Sequence, residues 1–257
     1  MSALKAVIFD VDGTMADTER DGHRVAFNRA FTDNGLDWHW DPLLYGELLA
    51  VTGGKERIRY YLENFHLQCG FNGDPTPTID KLHADKTRHY AQVLNEICIR
   101  LRVGVHRLIN ECRAAGLRLA IATTSMPENV RGLLRNTLGE QAINWFDCIA
   151  DGSSVGRKKP AADIYHYCLE QLNLTAQDCI TIEDSALGLQ AATGADLTTL
   201  ITINDYTYAD DFSGALTVID QLGEPDSPSL VLAGAAIKDS YISVNTLKDL
   251  HGKAFAN

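Results

Sequence analysis

Short, mostly apolar runs alternate along much of this chain with longer stretches of helical periodicity. Ala6–Phe9, Leu117–Ala122, Phe146–Ala150, Cys179–Ile182 and Leu197–Ile203 each predict a buried strand. The segments between them predict helices. Val105–Ala115 stops at Gly116, a residue suited to ending a helix. Pro127 opens another helix, where its missing N–H costs nothing. Ala161–Leu172 and Ala186–Thr193 follow, the second closed by Gly194. Strand and helix in strict turn predict a parallel sheet with helices on both faces.

The alternation breaks once. From about Thr18 to Arg102 the pattern is helical almost throughout. Ala26-Phe27 and Ala30-Phe31 mark one apolar face, and Leu43-Leu44 with Leu48-Leu49 a second. Ile58, Tyr61, Leu62 and Phe65 give a third, and Ile79–Leu101 a long fourth. Gly70–Pro77 reads as a loop of turn formers. The expected organisation is a core of residues 1–16 and 103–257 with an all-helical insertion at 17–102. Beyond Pro225 the pattern is hard to read, and no function is assigned there.

Composition narrows the partners. A chain of 257 residues, 45% hydrophobic and 22% charged, suits a soluble globular protein. The formal charge of −11 and pI near 5.1 disfavour nucleic-acid and anionic-membrane partners. An anionic substrate therefore requires a local basic pocket. Six cysteines, Cys69, Cys98, Cys112, Cys148, Cys168 and Cys179, form no C-x-x-C pair and fit reduced core thiols. The amino end enters a strand almost at once, leaving no room for a leader, and no run reaches membrane-spanning length. A cytoplasmic monomer is expected; a processed organellar form would look alike.

Chemistry concentrates where the apolar runs end. Ala6–Phe9 runs into Asp10-Val11-Asp12-Gly13-Thr14. A calcium loop would need glycine sixth and glutamate twelfth, which this segment lacks. Leu117–Ala122 ends at Thr123-Thr124-Ser125, and Cys179–Ile182 at Glu183-Asp184-Ser185, while Lys158-Lys159-Pro160 precedes a helix. Singly, each has a plain reading as a turn or helix cap. Together, at the carboxyl ends of parallel strands, they form a kit for metal-assisted phosphoryl transfer. Asp10 is the candidate nucleophile and Asp12 the acid and base. Asp10, Glu183, Asp184 and the main-chain carbonyl of Asp12 are candidate Mg²⁺ ligands. Lys159 neutralises charge and is expected to favour ionised Asp10. Thr123, with the N–H groups of Thr124 and Ser125, can hold phosphoryl oxygens.

These motifs, in this order, resemble those of the haloacid dehalogenase-like hydrolase superfamily, over roughly Leu4 to Pro228. The resemblance implies a Rossmann-like three-layer α/β core with the helical insertion as a mobile cap. Thr18–Arg24, Thr52–Arg57, Lys86–Tyr90, Asn204–Thr207 and Asp211–Ala215 further resemble its CbbY branch. That branch implies a phosphatase acting on xylulose 1,5-bisphosphate, a by-product that inhibits Rubisco, with the cap gripping the distal phosphate. Carried over by position, Glu19, His23, Lys55, Arg57 and Lys86 are the candidate substrate contacts. Gly53-Gly54 before a helix also exposes N–H groups to an anion. Two rivals stand beside this reading. A β-phosphoglucomutase-like hexose phosphomutase uses the same motifs, and a non-catalytic binding protein could occupy the same fold.

Overall fold

A computed structural model describes residues 3–65, 74–97 and 99–255. Its frame is a seven-stranded sheet in the order β3-β2-β1-β4-β5-β6-β7. The strands are β1 (Ala6–Phe9), β2 (Arg118–Ala122), β3 (Cys148–Ala150), β4 (Cys179–Glu183), β5 (Thr198–Thr202), β6 (Thr217–Ile219) and β7 (Val231–Gly234). All pairings are parallel except β6–β7. β1 lies between β2 and β4, which explains why all four of its residues are apolar and buried.

Side-chain alternation divides the core. Val7, Phe9, Leu119, Ile121, Ile180 and Ile182 face one side. There they pack with α5 (Val105–Ala114), α6 (Pro127–Leu138) and α9 (Val244–Ala254). Ala6, Ile8, Ala120, Ala122 and Cys148 face the other, against α7 (Asp163–Leu172) and α8 (Ala186–Thr193). Phe9 is level with Ile121 on one side and Ile182 on the other, so three strand ends open at one height.

The helical stretch holds a π-helical turn (Glu19–His23), α1 (Arg24–Asp33), α2 (Pro42–Leu48), α3 (Gly54–Asn64) and α4 (Thr76–Ile97). Phe27, Phe31, Trp38, Trp40, Tyr45, Leu48, Ile58, Tyr61, Ile79 and Leu82 form its own apolar cluster. Leaving and returning chains run together here: Ala16 bridges Leu101, and Arg102 donates its backbone N–H to Met15. The Arg102 guanidinium then donates to the carbonyls of Gly13, Thr202, Ile203 and Asp220.

Several expected boundaries move. α4 starts at Thr76 rather than Ile79, with Pro77 in its first turn, where proline is tolerated. Gly70–Gly73 of the expected loop lie outside the described residues. β3 begins at Cys148, and α7 at Asp163. The tail past Pro225 adds β7 and α9, neither anticipated. β7 is mostly exposed and so carries no apolar run, while α9 buries a stripe of Val244, Leu247 and Leu250. Among the described residues, no helix is long and apolar enough to cross a membrane. Cys112, Cys148, Cys168 and Cys179 are buried free thiols.

Candidate active site

The carboxyl ends of β1, β2 and β4 meet the helical stretch across a cavity of about 530 Å³. Asp10 continues β1, and its N–H donates to the Ile182 carbonyl. Lys159, in the turn before α7, is buried and reaches three acceptors. Its ammonium donates to Asp10 Oδ1 at 2.7 Å, Glu183 Oε1 at 2.5 Å and the Ala122 carbonyl at 2.9 Å. Tyr165, on the first turns of α7, donates its hydroxyl to the same Glu183 oxygen.

Asp10, Glu183 and Asp184 each present a carboxylate oxygen, all within 4.8 Å of one another, and all three residues are buried. Buried carboxylates this close repel unless a cation or protons compensate. Asp184 is held by Asn204 Nδ2 at 2.6 Å and, more loosely, by Thr14. Gly13 has φ of +90°, and a Cβ there would collide with Asp184 and Asn204, so the turn requires glycine. Glu183 Oε2 is buried without a hydrogen-bond partner. An orphaned anionic oxygen in an all-oxygen cluster is what a hard divalent cation requires, so the residues fit Mg²⁺.

Asp12 is two residues from Asp10 but sits in other company. Oδ1 accepts from Thr18 at 2.5 Å and pairs with His23 Nε2 at 2.9 Å. Oδ2 accepts from Ser125 at 2.6 Å and Thr123 at 3.4 Å. Its side chain stands apart from the Asp10–Glu183–Asp184 cluster, leaving its main-chain carbonyl as the group that could serve a cation. His23 in turn meets Lys86 Nζ through Nδ1 at 2.8 Å and stacks on Tyr90.

The surroundings separate the two acids. Burial raises Asp10 to about 7, with Lys159 pulling against it and Glu183 and Asp12 adding to it. Lys159 does favour ionised Asp10, as expected, but without a cation desolvation outweighs the ammonium. Burial also drives Asp184 well above its ordinary range. For Asp12 burial acts upward, but His23, Ser125 and Thr18 more than offset it and hold the carboxyl well below normal. Burial brings Lys86 down to about 8, although Glu19 and Asp12 oppose the fall.

The remaining candidates divide. Arg57 is buried on the cavity wall and donates to the Tyr45 hydroxyl at 2.8 Å and to the Leu48 carbonyl. Tyr45 donates on to Glu19 Oε2, linking all three. Lys86 lines the cavity but is engaged by His23 and lies over the rings of Phe27 and Tyr90. Lys55 is exposed and paired with Asp80 at 2.7 Å, so it must leave that partner to meet a ligand. Ser125 spends its N–H on Thr123 Oγ1 at 3.1 Å, which corrects its expected role as a free donor. Thr124 lines the cavity beside it. Sequence reading missed Tyr165, Tyr45 and Thr18. Thr18 opened a quoted segment but was given no role, and the aromatics carried no signal beyond core packing.

The haloacid dehalogenase-like hydrolase family model matches residues 4–196. Protein CbbY of Cupriavidus necator is 47% identical over 225 residues, covering 88% of each chain. A crystal structure of a CbbY mutant from Rhodobacter sphaeroides in complex with xylulose-(1,5)bisphosphate superposes with a TM-score of 0.79. It is 42% identical and covers 86% of this chain and 96% of that one. A β-phosphoglucomutase structure from Clostridium difficile, 20% identical, superposes at 0.76 over 99% of this chain and 100% of that one. This last likeness speaks to fold alone.

Proposed function

This chain belongs to the haloacid dehalogenase-like hydrolase family, with CbbY-type relatives. From that premise we propose that it is a Mg²⁺-dependent phosphatase acting on xylulose 1,5-bisphosphate through an aspartyl phosphate on Asp10. The observation that carries the reading is the placing of two acids two residues apart: Asp10 beside Lys159 in a buried all-oxygen cluster with Glu183 and Asp184, and Asp12 among Thr18, His23 and Ser125. That placing leaves Asp10 to attack beside a cation and Asp12 to move protons.

In this reading Asp10, Glu183, Asp184 and the Asp12 carbonyl hold Mg²⁺. When bound, the ion neutralises Asp10 and the phosphoryl oxygens, lowering the repulsion between two anions. Asp10 Oδ2 is the attacking oxygen, because Lys159 occupies Oδ1. Lys159 remains charged: burial pulls it down, but Asp10 and Glu183 hold it well above the usual lysine range. Thr123 and the N–H of Thr124 take phosphoryl oxygens, while Ser125 and Thr18 keep Asp12 aimed at the leaving oxygen. Asp12 gives a proton to that oxygen and then takes one from the water that cleaves the aspartyl phosphate. Asp12 must hold that proton before it acts as an acid, and His23, whose Nε2 meets its Oδ1 at 2.9 Å, keeps the carboxyl in place. Lys86 fixes the tautomer by occupying Nδ1.

Residues 17–102 act as the cap. Closure sets Glu19, Tyr45 and Arg57 against the sugar and its far phosphate, converting remote binding into orientation at Asp10. Lys55 joins only by exchanging Asp80 for substrate. Buried free thiols suit a reducing compartment, so the cytoplasm is the proposed location.

A phosphate-release screen over pentose and hexose mono- and bisphosphates tests the proposal. Release should be fastest with the pentulose bisphosphate. Isomerised sugar without free phosphate, from a hexose 1-phosphate and a trace of bisphosphate, would instead make the protein a mutase.

A further inference from the structure

The part of the cavity wall where α3 meets α4 holds a titratable group with no role so far. His83 lies on α4, three residues before Lys86, and lines the cavity. Its ring rests on the first turn of α3, where a Cβ on Gly54 would fall 2.7 Å from both Cδ2 and Nε2. Only glycine leaves the imidazole this place. Among the described residues, neither ring nitrogen has a hydrogen-bond partner. The charges facing it come from three elements: Lys55 and Glu56 on α3, Lys86 on α4, and Lys158 from the turn before α7. Lys158 is held there by Glu56 at 2.8 Å, so the core supplies one of the three ammonium groups. Lys55 is paired with Asp80 and Lys158 with Glu56, so three cations meet two carboxylates and the spot stays positive, and an unpaired imidazole within it can still accept a proton.

We propose that His83 is a specificity-determining residue that binds the phosphate of a bisphosphate remote from Asp10 and takes up a proton as it does so. The inference rests on the bisphosphate reading above. Unliganded, burial and the three lysines push His83 down to about 4, so it is neutral at pH 7. A phosphate dianion reverses the sign of its surroundings and favours imidazolium. The hydrogen bond it then gives is charge-assisted at both ends and stronger than one from neutral imidazole. A monophosphate seated at Asp10 brings no anion to this part of the wall, and His83 stays neutral.

Calorimetric titration of the Asp10→Asn enzyme with xylulose 1,5-bisphosphate, near pH 7 in two buffers of different ionisation enthalpy, reads the proton directly. The comparison is the same enzyme with His83→Gln added. Proton uptake should be clearly larger with His83 present. His83→Gln should weaken bisphosphate binding by about tenfold and leave monophosphate binding unchanged. The imidazole resonance of His83 gives a second reading that needs no variant at that position, and it should move to the imidazolium range with bisphosphate alone. An unchanged proton balance or an unmoved resonance overturns the proposal while the substrate reading stands. Equal binding of mono- and bisphosphate by the Asp10→Asn enzyme removes the substrate reading, and this proposal with it.

Discussion

Asp10 and Asp12 show how far neighbouring side chains of one type can diverge. Folded and free of cation, Asp10 keeps its proton up to about pH 7, whereas the unfolded chain releases it near 3.8. Between those values the folded state binds more protons, so stability falls as pH rises. Asp12 acts oppositely: its contribution is present above the ordinary carboxylate range and is lost as pH falls. A divalent cation must displace protons from Asp10, so Mg²⁺ should raise the Tm more at about pH 7.5 than at about pH 5.5. Equal shifts in thermal unfolding would mean that Asp10 is not a ligand. Lys86 gives a second residue-scale prediction, because its ammonium is bonded to His23. Lys86→Met should lower kcat for mono- and bisphosphates alike, by about tenfold. A loss confined to KM for bisphosphates would return Lys86 to the far phosphate. Neither its partner nor that of Lys55 was legible in the sequence. Spacing along one helix places a lysine on a face but does not say which acid or imidazole the neighbouring helix offers it.

At the scale of elements, the parallel strands were readable because β1 and β4 are buried on both faces, which favours mostly apolar runs followed abruptly by polar residues. That abrupt change also made Asp10, Thr123 and Glu183 legible. β7 and α9 escaped notice because half-exposed elements carry weak patterns. Helix α3 is joined to the core by Glu56 and Lys158, an ion pair bridging the cavity mouth. Glu56→Lys should set like charges against each other there and lower kcat/KM by about fivefold, with the Glu56→Lys, Lys158→Glu exchange restoring most of it. An exchange as poor as the single variant would show that the pair does not assist closure. Arg102 ties both connecting strands to the loops after β1 and β5. Arg102→Ala leaves several carbonyls without their donor and should cost about 2 kcal/mol in denaturant unfolding.

At the scale of the molecule, a chain of net charge −11 handles an anion by sorting its charges rather than by a basic surface. Carboxylates gather at the strand ends, where a cation fits, and Arg57, Lys86 and Lys158 stand on the other walls of the same cavity. The sequence predicted a local basic pocket but not this division, which depends on how the helical stretch folds back over β1. The whole account turns on phosphorus passing to Asp10. Rapid quenching with phosphoryl-labelled substrate, followed by peptide mapping, tests this most directly. Label should appear transiently on the fragment containing Asp10 and be absent from the Asp10→Asn protein, which should remain folded. Undiminished turnover by Asp10→Asn, or label on any other residue, would contradict it.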